Sequence, residues 1–268
     1  MVYYITMARV GIIGGSGLYE IPGLTLREER DIETPFGMPS APYMIGEMDG
    51  SELIFLARHG MHHNIAPHRI NYRANIRGFR DLGVERIIAV CASGGINSSM
   101  PPGSIVVLDQ VVDLTQGARS STFYDGHEVV HIDFTDPFCP ELRGALLTAS
   151  ERSGTGAIDG GTYVCVNGPR LESRAEIRHF ASMGADVVGM TAMPEAALAR
   201  EDELCLANIT VVTNTAAGMS GVKLTTREVV ETMRRSTERV KSLIREALPL
   251  VPPGRGCPCK DALEGARM

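Results

Sequence analysis

Short apolar runs that end in glycine or polar residues constrain the fold of this chain more than any other feature. Residues 10–13, 53–57, 86–91 and 209–213 form such runs, and apolar runs without polar alternation are typical of strands buried on both faces. Segments with helical spacing lie between them, for example residues 71–82, and Ser173-Arg-Ala-Glu176 has the pattern of a capping box that begins another helix. This order of segments predicts an α/β fold in which helices flank a central sheet.

The size and composition of the chain predict a single domain. It has 268 residues, of which 44% are hydrophobic and 22% charged, which is enough for one large α/β core. Pro249 and the Pro252-Pro253-Gly254 sequence interrupt the last helical segment. We therefore predict one domain over residues 1–268, with residues 252–268 as a C-terminal tail.

Charge and hydropathy exclude two classes of partner. The net charge is −6, whereas a protein that binds a phosphate backbone needs a basic face. The sequence has no apolar run of transmembrane length, and residues 1–6 lack the basic start of a signal peptide. These features predict a cytoplasmic protein that binds neither nucleic acid nor membrane.

A glycine-rich turn follows the first apolar run. Residues 11–17 read Gly-Ile-Ile-Gly-Gly-Ser-Gly, and such a turn can close backbone N–H groups round an anion while Ser16 adds a hydroxyl donor. A tight turn without a ligand is an equal alternative. A dinucleotide fingerprint is excluded because the sixth place counted from Gly15 is Glu20, and a P-loop is excluded because the first lysine is Lys223.

Polar residues also follow the next two apolar runs. Arg58 and His59 follow the second run, and Ala92-Ser-Gly-Gly95 is predicted to be a second turn after the third run. Open α/β sheets bind ligands beyond their strand ends, and a guanidinium matches the geometry of phosphate oxygens. Arg58, His59 and the predicted second turn therefore favour an anion site over a tight turn without a ligand. Metal is not predicted, because the spacing of His62, His63 and His68 fits no common ligand set.

The six cysteines show no spacing typical of a secreted disulfide framework. Cys257 and Cys259 flank Pro258 near the C-terminus. This pair is consistent with a disulfide, with a metal ligand pair, or with a plain tail that carries two thiols.

Several longer motifs occur in an order that identifies a family. They are Gly-Ile-Ile-Gly-Gly-Ser-Gly, Thr-Pro-Phe-Gly, Leu-Ala-Arg-His-Gly, Asn-Tyr-Arg-Ala-Asn-Ile, Asn-Gly-Pro-Arg-Leu-Glu-Ser-Arg-Ala-Glu and Gly-Met-Thr-Ala-Met-Pro-Glu. From about residue 10 to residue 248, the chain resembles the methylthioadenosine phosphorylase branch of the purine nucleoside phosphorylases. The resemblance implies a mixed sheet flanked by helices, a homotrimer or a hexamer made of two trimers, and phosphorolysis of a purine nucleoside with no metal or organic cofactor.

The resemblance also assigns site residues by position. The phosphate set would be Ser16, Arg58, His59, Cys91, Ala92 and Thr191, and Met190 would lie under the ribose. His131 and the tail would approach the pocket of a neighbouring subunit. Cys139 and Cys205 stand where some archaeal relatives place a disulfide, and the Cys-Pro-Cys of the tail is similar to theirs.

One departure from the family pattern concerns the base. Enzymes of this branch that take a 6-aminopurine show an Asp-x-Asp, where this chain reads Asn214-Thr215-Ala216. A 6-oxopurine presents acceptors at N7 and O6, so carboxylates there would oppose lone pairs, whereas the amide of Asn214 can donate. Leu171 also replaces the usual Phe. Both changes predict hypoxanthine or guanine as the base.

The 5′ side of the sugar is expected to contact Thr226 and Val229, and also Leu263 from the tail of a neighbouring subunit. These residues favour a methylthio group. We therefore expect 5′-methylthioinosine as substrate, with inosine and guanosine left open, and Asn214 and His59 as catalytic residues. The alternatives are a methylthioadenosine phosphorylase, a nucleosidase that uses water, and a noncatalytic nucleoside-binding protein.

Overall fold

The computed structural model describes residues 9–15, 18, 23–115, 117, 119–126, 128–220 and 225–268. One mixed sheet runs through these residues. Its strands are β1 (Arg9–Gly14), β2 (Thr25–Arg30), β3 (Tyr43–Met48), β4 (Ser51–Ala57), β5 (Arg86–Gly95), β6 (Ile105–Val107), β7 (Gln110–Asp113), β8 (Ile158–Asp159), β9 (Thr162–Cys165), β10 (Val187–Gly189) and β11 (Cys205–Thr215). The mixed α/β fold predicted from the sequence is confirmed.

Strand β5 is the centre of the sheet. The order along one path is β2-β3-β4-β1-β5-β10-β9-β7, and β11 pairs with the other edge of β5 and continues to β6 and β8. Strands β1, β4, β5 and β11 are mutually parallel, so they end at the same edge of the sheet. That edge is where an open α/β sheet binds its ligand.

Five helices cover the two faces of the described sheet. They are α1 (Tyr72–Asp81), α2 (Pro140–Ser153), α3 (Arg174–Ser182), α4 (Ala192–Glu201) and α5 (Thr226–Ala247). Helices α1 and α4 pack together, as do α2 and α5. In β1, Ile13 joins the core beneath α1 and α4, while Ile12 joins the core beneath α2 and α5. Because successive residues of β1 face apolar clusters on opposite sides of the sheet, the whole strand must be apolar.

Several predicted helix ends are confirmed. Asn71 caps α1 by accepting from the N–H of Ala74. Ser173 and Glu176 form a capping box at α3. None of the described helices is long and apolar enough to cross a membrane.

The segment Ala92-Ser-Gly-Gly95 is not a turn. It continues β5, pairing with β11 through Gly95 and with β10 at Gly94 and Gly95. The glycines suggested a turn, but they serve close approach instead, because a Cβ on Gly95 would lie 2.9 Å from a side-chain carbon of Val212.

The C-terminal tail packs back on the chain. Residues 129–131 pair with residues 266–268 through backbone hydrogen bonds and one isolated bridge. Arg86, which is 1% exposed, donates to the carbonyl of Gly254. The tail is therefore an integrated part of the fold.

Candidate functional site

The sheet has a gap along one edge of β5. Strand β1 pairs with this edge as far as Ala89, and β10 pairs with it from Gly94. Because β1 is parallel and β10 antiparallel to β5, their carboxyl ends point toward each other. Residues 90–93 therefore carry backbone polar groups that no strand pairs on this side.

Arg58 shows which of these backbone groups face the gap. Its Nη1 donates to the carbonyl of Val90 at 2.8 Å. Backbone groups of alternate residues in a strand point to the same edge, so the N–H of Ala92 also faces the gap. Cys91 directs its carbonyl toward Thr210 of β11 and its thiol to Asn208. Ala92 is thus the backbone donor of the predicted Cys91-Ala92 pair.

Arg58 is held by a buried ion pair. Its Nε and Nη2 donate to the two carboxylate oxygens of Glu195 at 2.5 and 2.9 Å, and the exposed fractions are 2% for Arg58 and 0% for Glu195. Burial lowers the pKa of Arg58, but Glu195 outweighs it and the net pKa is raised. Three of five guanidinium N–H groups are thereby used, and one remains on each Nη for a ligand.

His59 is a neutral imidazole that presents one fixed nitrogen. Its Nδ1 lies 2.8 Å from the carbonyl of Ile65, which can only accept, so Nδ1 carries the proton. Burial, followed by the charge of Arg58, lowers the pKa of His59 to about 4. Nε2 then offers a lone pair, which suits a protonated phosphate oxygen.

Thr191 lies where β10 gives way to α4. It is 6% exposed, and its side chain makes no capping bond within α4. The first turn of α4 carries Glu195, so the same helix start positions Thr191 and anchors Arg58. Met193 has a non-helical backbone (φ −114°, ψ 138°), so the regular part of α4 begins after it and Thr191 lies in the turn that precedes it. The hydroxyl of Thr191 is therefore a candidate donor to an anion by itself, without a helix N-terminus.

Met190 precedes Thr191 and packs on a glycine. A Cβ on Gly168 would lie 2.3 Å from Sδ of Met190, and Gly168 has a φ of +62°. Only glycine therefore fits both the backbone and the contact. Gly168, on which Met190 packs, also lines a cavity.

Asn214 lies at the end of β11 beside a break in register. The pairing of β11 with β5 shifts between Val212 and Asn214, and such bulges re-aim side chains near sites. Oδ1 accepts from the hydroxyl of Thr213 at 2.9 Å, and Nδ2 donates to the carbonyl of Thr215 at 3.0 Å. One amide N–H has no acceptor among the described residues. A Cβ on Gly94 would lie 3.3 Å from Nδ2.

A cavity of about 320 Å³ lies next to these strand ends. Its lining includes Asn167, Gly168, Glu172 and Phe180. Phe180 also packs in one apolar cluster with Ala216, two residues after Asn214. The cavity is at the small end of ligand-site volumes, and Leu171, which lies in sequence between the lining residues Arg170 and Glu172, is 50% exposed.

Glu172 was not predicted as a site residue, although it lies inside one of the motifs. Burial raises its pKa. A carboxylate that is partly removed from water and lines a cavity is a candidate ligand contact.

Arg119 was also missed, since it comes from a segment without periodicity. Its Nη1 donates to the carbonyls of Met190 and Met193, and its Nη2 donates to the carbonyl of Asn167. It also lies over the ring of Tyr72 at 5.2 Å. Arg119 therefore ties the end of β9 to the end of β10. Glu195 was not predicted either, but the sequence could have pointed to it, because it is a single acidic residue within an apolar stretch.

Ser16, another predicted site residue, lies outside the described residues. Three further predicted residues are not brought into this group. Thr226 and Val229 lie in the first turns of α5, exposed and half-buried respectively. His131 is exposed and lines a second cavity with Arg200 and tail residues, and its N–H donates to the carbonyl of Ala266.

The comparisons with known proteins agree with this geometry. The Phosphorylase superfamily matches residues 9–249. The probable S-methyl-5′-thioinosine phosphorylase of Thermodesulfovibrio yellowstonii is 52% identical over 96% of this chain and 97% of its own length. The 6-oxopurine nucleoside phosphorylase of Pyrococcus furiosus is 52% identical over 97% and 99%.

A solved structure extends the match. The methylthioadenosine phosphorylase from an antarctic soil metagenomic library is 34% identical, with a TM-score of 0.91 over 98% of this chain and 93% of that one. The resemblance inferred from the motifs, and the prediction of an enzyme, are thereby confirmed. The chain belongs to the Phosphorylase superfamily.

Proposed function

We propose that this protein catalyses phosphorolysis of 6-oxopurine nucleosides, with 5′-methylthioinosine and phosphate giving hypoxanthine and 5-methylthioribose 1-phosphate. The observation that carries the proposal is the Asn214 amide, which lies at the strand end with one N–H that has no acceptor within the described part of the chain. The names of two relatives at 52% identity support this choice of base. The methylthioadenosine phosphorylase structure, at 34%, represents the alternative substrate.

The gap beside β5 would hold the phosphate. Ser16, Arg58, the N–H of Ala92 and the hydroxyl of Thr191 would donate to its oxygens, and His59 would accept from a protonated one. A phosphate oxygen then attacks C1′ as the bond from C1′ to N9 breaks. Fixing the anion beneath C1′ supplies both proximity and charge stabilisation.

Asn214 would act on the leaving base. The electron pair of the broken bond enters the purine ring, and the amide N–H of Asn214 donates to the N7 and O6 edge as that charge builds. Thr215 and Ala216 would shape the same side of the base. Leu171 and Met190 would pack on the base and the ribose, while Thr226, Val229 and the His131 of a neighbouring subunit would approach the 5′ group.

Glu172 would read the other edge of the base. A 6-oxopurine carries a proton on N1 and adenine does not, so an ionised carboxylate would accept from the former and repel the latter. We expect Glu172→Ala to lower kcat/KM for methylthioinosine by about 10- to 100-fold, the usual value of a hydrogen bond to a charged group. Methylthioadenosine turnover should change little, and Glu172→Gln should retain more activity than the alanine variant. Equal losses on both nucleosides would contradict this role.

The experiment that tests the proposal measures base release from methylthioinosine, methylthioadenosine, inosine and guanosine, each with and without phosphate. We expect phosphate-dependent release of hypoxanthine, with adenine released far more slowly. Preferential adenine release would replace the substrate but keep the phosphorylase. Release without phosphate would overturn the phosphate site.

We further propose a homotrimer, with a hexamer as the alternative, acting in the cytoplasm with phosphate as co-substrate and no other cofactor. The family uses phosphate as co-substrate.

A further inference from the structure

Four cysteine sulfurs meet at a point that the proposed reaction does not use. Cys139, Cys205, Cys257 and Cys259 place their Sγ atoms within 4.8 Å of one another. All four are buried, with exposed fractions of 0 to 3%. They are free thiols in this structure. Thiols are soft ligands, so four of them close together in the core could bind a metal ion.

The cluster lies far from the proposed active site. Cys205 is the first residue of β11, and Asn214 is the last but one. Nine residues of extended strand separate them, which corresponds to roughly 30 Å. We therefore expect the four thiols to take no direct part in the proposed reaction.

The surrounding backbone holds the four thiols together by other bonds. The N–H of Cys139, the residue that begins α2, donates to the carbonyl of Leu206 at 2.7 Å. The N–H of Gly256 donates to the carboxylate of Glu141 at 2.8 Å, and Arg255 donates to the carbonyl of Glu203. The tail is thus fixed against α2 and β11 immediately before its two cysteines.

The Cys-Pro-Cys segment presents both thiols to the same place. Cys257 has an extended backbone and directly precedes a short 3-10 helix, Pro258–Asp261, whose first turn contains Cys259; this bend brings the two sulfurs to within 4.8 Å of each other. Their partners come from two other elements, α2 and β11.

We propose that Cys139, Cys205, Cys257 and Cys259 form a closed tetrahedral site for a thiophilic divalent cation, Zn²⁺. A Zn–S distance of about 2.3 Å places the four sulfurs about 3.8 Å apart, within the span observed here. Structural zinc sites use four protein ligands and leave no open position. The ion would link the tail to α2 and β11.

The burial of the four sulfurs fits a bound cation. Zinc binds cysteine as the thiolate, so the ion would displace the thiol protons on binding. Thiolates buried to this extent would be costly without a cation, and the zinc ion would offset their charge.

The test measures zinc in the full chain, purified under reducing conditions without chelator. We expect one zinc per chain by elemental analysis. Replacing the zinc by Co²⁺ should give the charge-transfer and visible absorption bands of tetrahedral thiolate coordination. The double variant Cys257→Ser, Cys259→Ser should lose the metal, while Cys165→Ala, a buried cysteine outside the cluster, should retain it.

The stability of the wild-type chain gives a second readout that does not depend on a variant folding. Stripping the metal with a chelator should lower Tm, and added Zn²⁺ should restore it. Two results would overturn the proposal. One is a chain mass lowered by about 2 Da for each disulfide among these four cysteines, measured on protein purified without reductant. The other is four free thiols that bind neither Zn²⁺ nor Co²⁺.

Discussion

Asn214 is the residue on which the proposed choice of base depends. Its amide is 7% exposed, and two protein hydrogen bonds fix its orientation. A buried polar group so fixed can reject a mismatched base strongly, because the wrong pairing leaves polar atoms unpaired.

Asn214→Ala should lower kcat for methylthioinosine by about 10²- to 10³-fold, the usual loss when one donor to a developing anion is removed. The KM for phosphate should change little, because Asn214 does not belong to the phosphate set. Steady-state kinetics with phosphate varied would separate the two parameters. Equal losses in both would count against a role at the base, and Asn214→Asp should shift preference toward methylthioadenosine.

His59 makes the free energy of unfolding depend on pH, and the direction of this dependence follows from its pKa. Its folded pKa is about 4, below the ordinary value of about 6.5. Between these values the unfolded chain binds more protons than the folded one, so the free energy of unfolding falls as the pH falls through this window.

His59→Gln should flatten that dependence, since the amide can donate to Ile65 without titrating. Denaturant unfolding of the two proteins at about pH 7 and about pH 4.5 would measure the difference. The exposed His179→Gln should behave like the wild type. A slope unchanged by the His59 substitution would show that other groups cause it.

At the level of elements, β5 decides the shape of the site. Its glycine-rich end looked like a turn because Gly94 and Gly95 are poor strand formers. The residues are tolerated because β10 and β11 crowd both edges there. Sequence alone cannot reveal that crowding, since β10 follows β5 by about ninety residues.

Arg119 links elements without touching the proposed substrate, so we regard it as a positioning residue. Arg119→Met should lower kcat by about 10- to 100-fold, because small displacements of Met190 and Asn167 misalign the reacting groups. Arg119→Lys should recover part of the activity. The control is Arg235→Met, which removes an exposed guanidinium that pairs with Glu231 on the surface of α5. A loss of Tm that matches the loss of kcat, with no rescue by lysine, would indicate a purely structural role.

At the scale of the whole molecule, one predicted site residue lies apart from the others. His131 pairs with the tail through Ala266, whereas Asn214 and Arg58 lie at the strand ends. The motifs predicted that His131 approaches a neighbouring pocket, which stays a prediction.

Light scattering should give a particle of three times the chain mass of 28.9 kDa, or of six times that mass for the hexamer. His131→Ala should then lower activity without changing the particle mass. A monomer that is fully active would contradict the shared site.

The sequence by itself determined the α/β class, the predicted helix caps and the residues at the ends of β4 and β11. Continuous apolar runs report burial on both faces, and capping residues act on their own backbone. The edge strand β2 was missed because it is exposed along its whole length and has no apolar pattern to detect. Tertiary structure alone decided that Arg58 meets Glu195 across 137 residues, that Arg119 joins three carbonyls, and that four distant cysteines converge. Those contacts depend on which strands pair, and long-range pairing leaves no local periodicity in the chain.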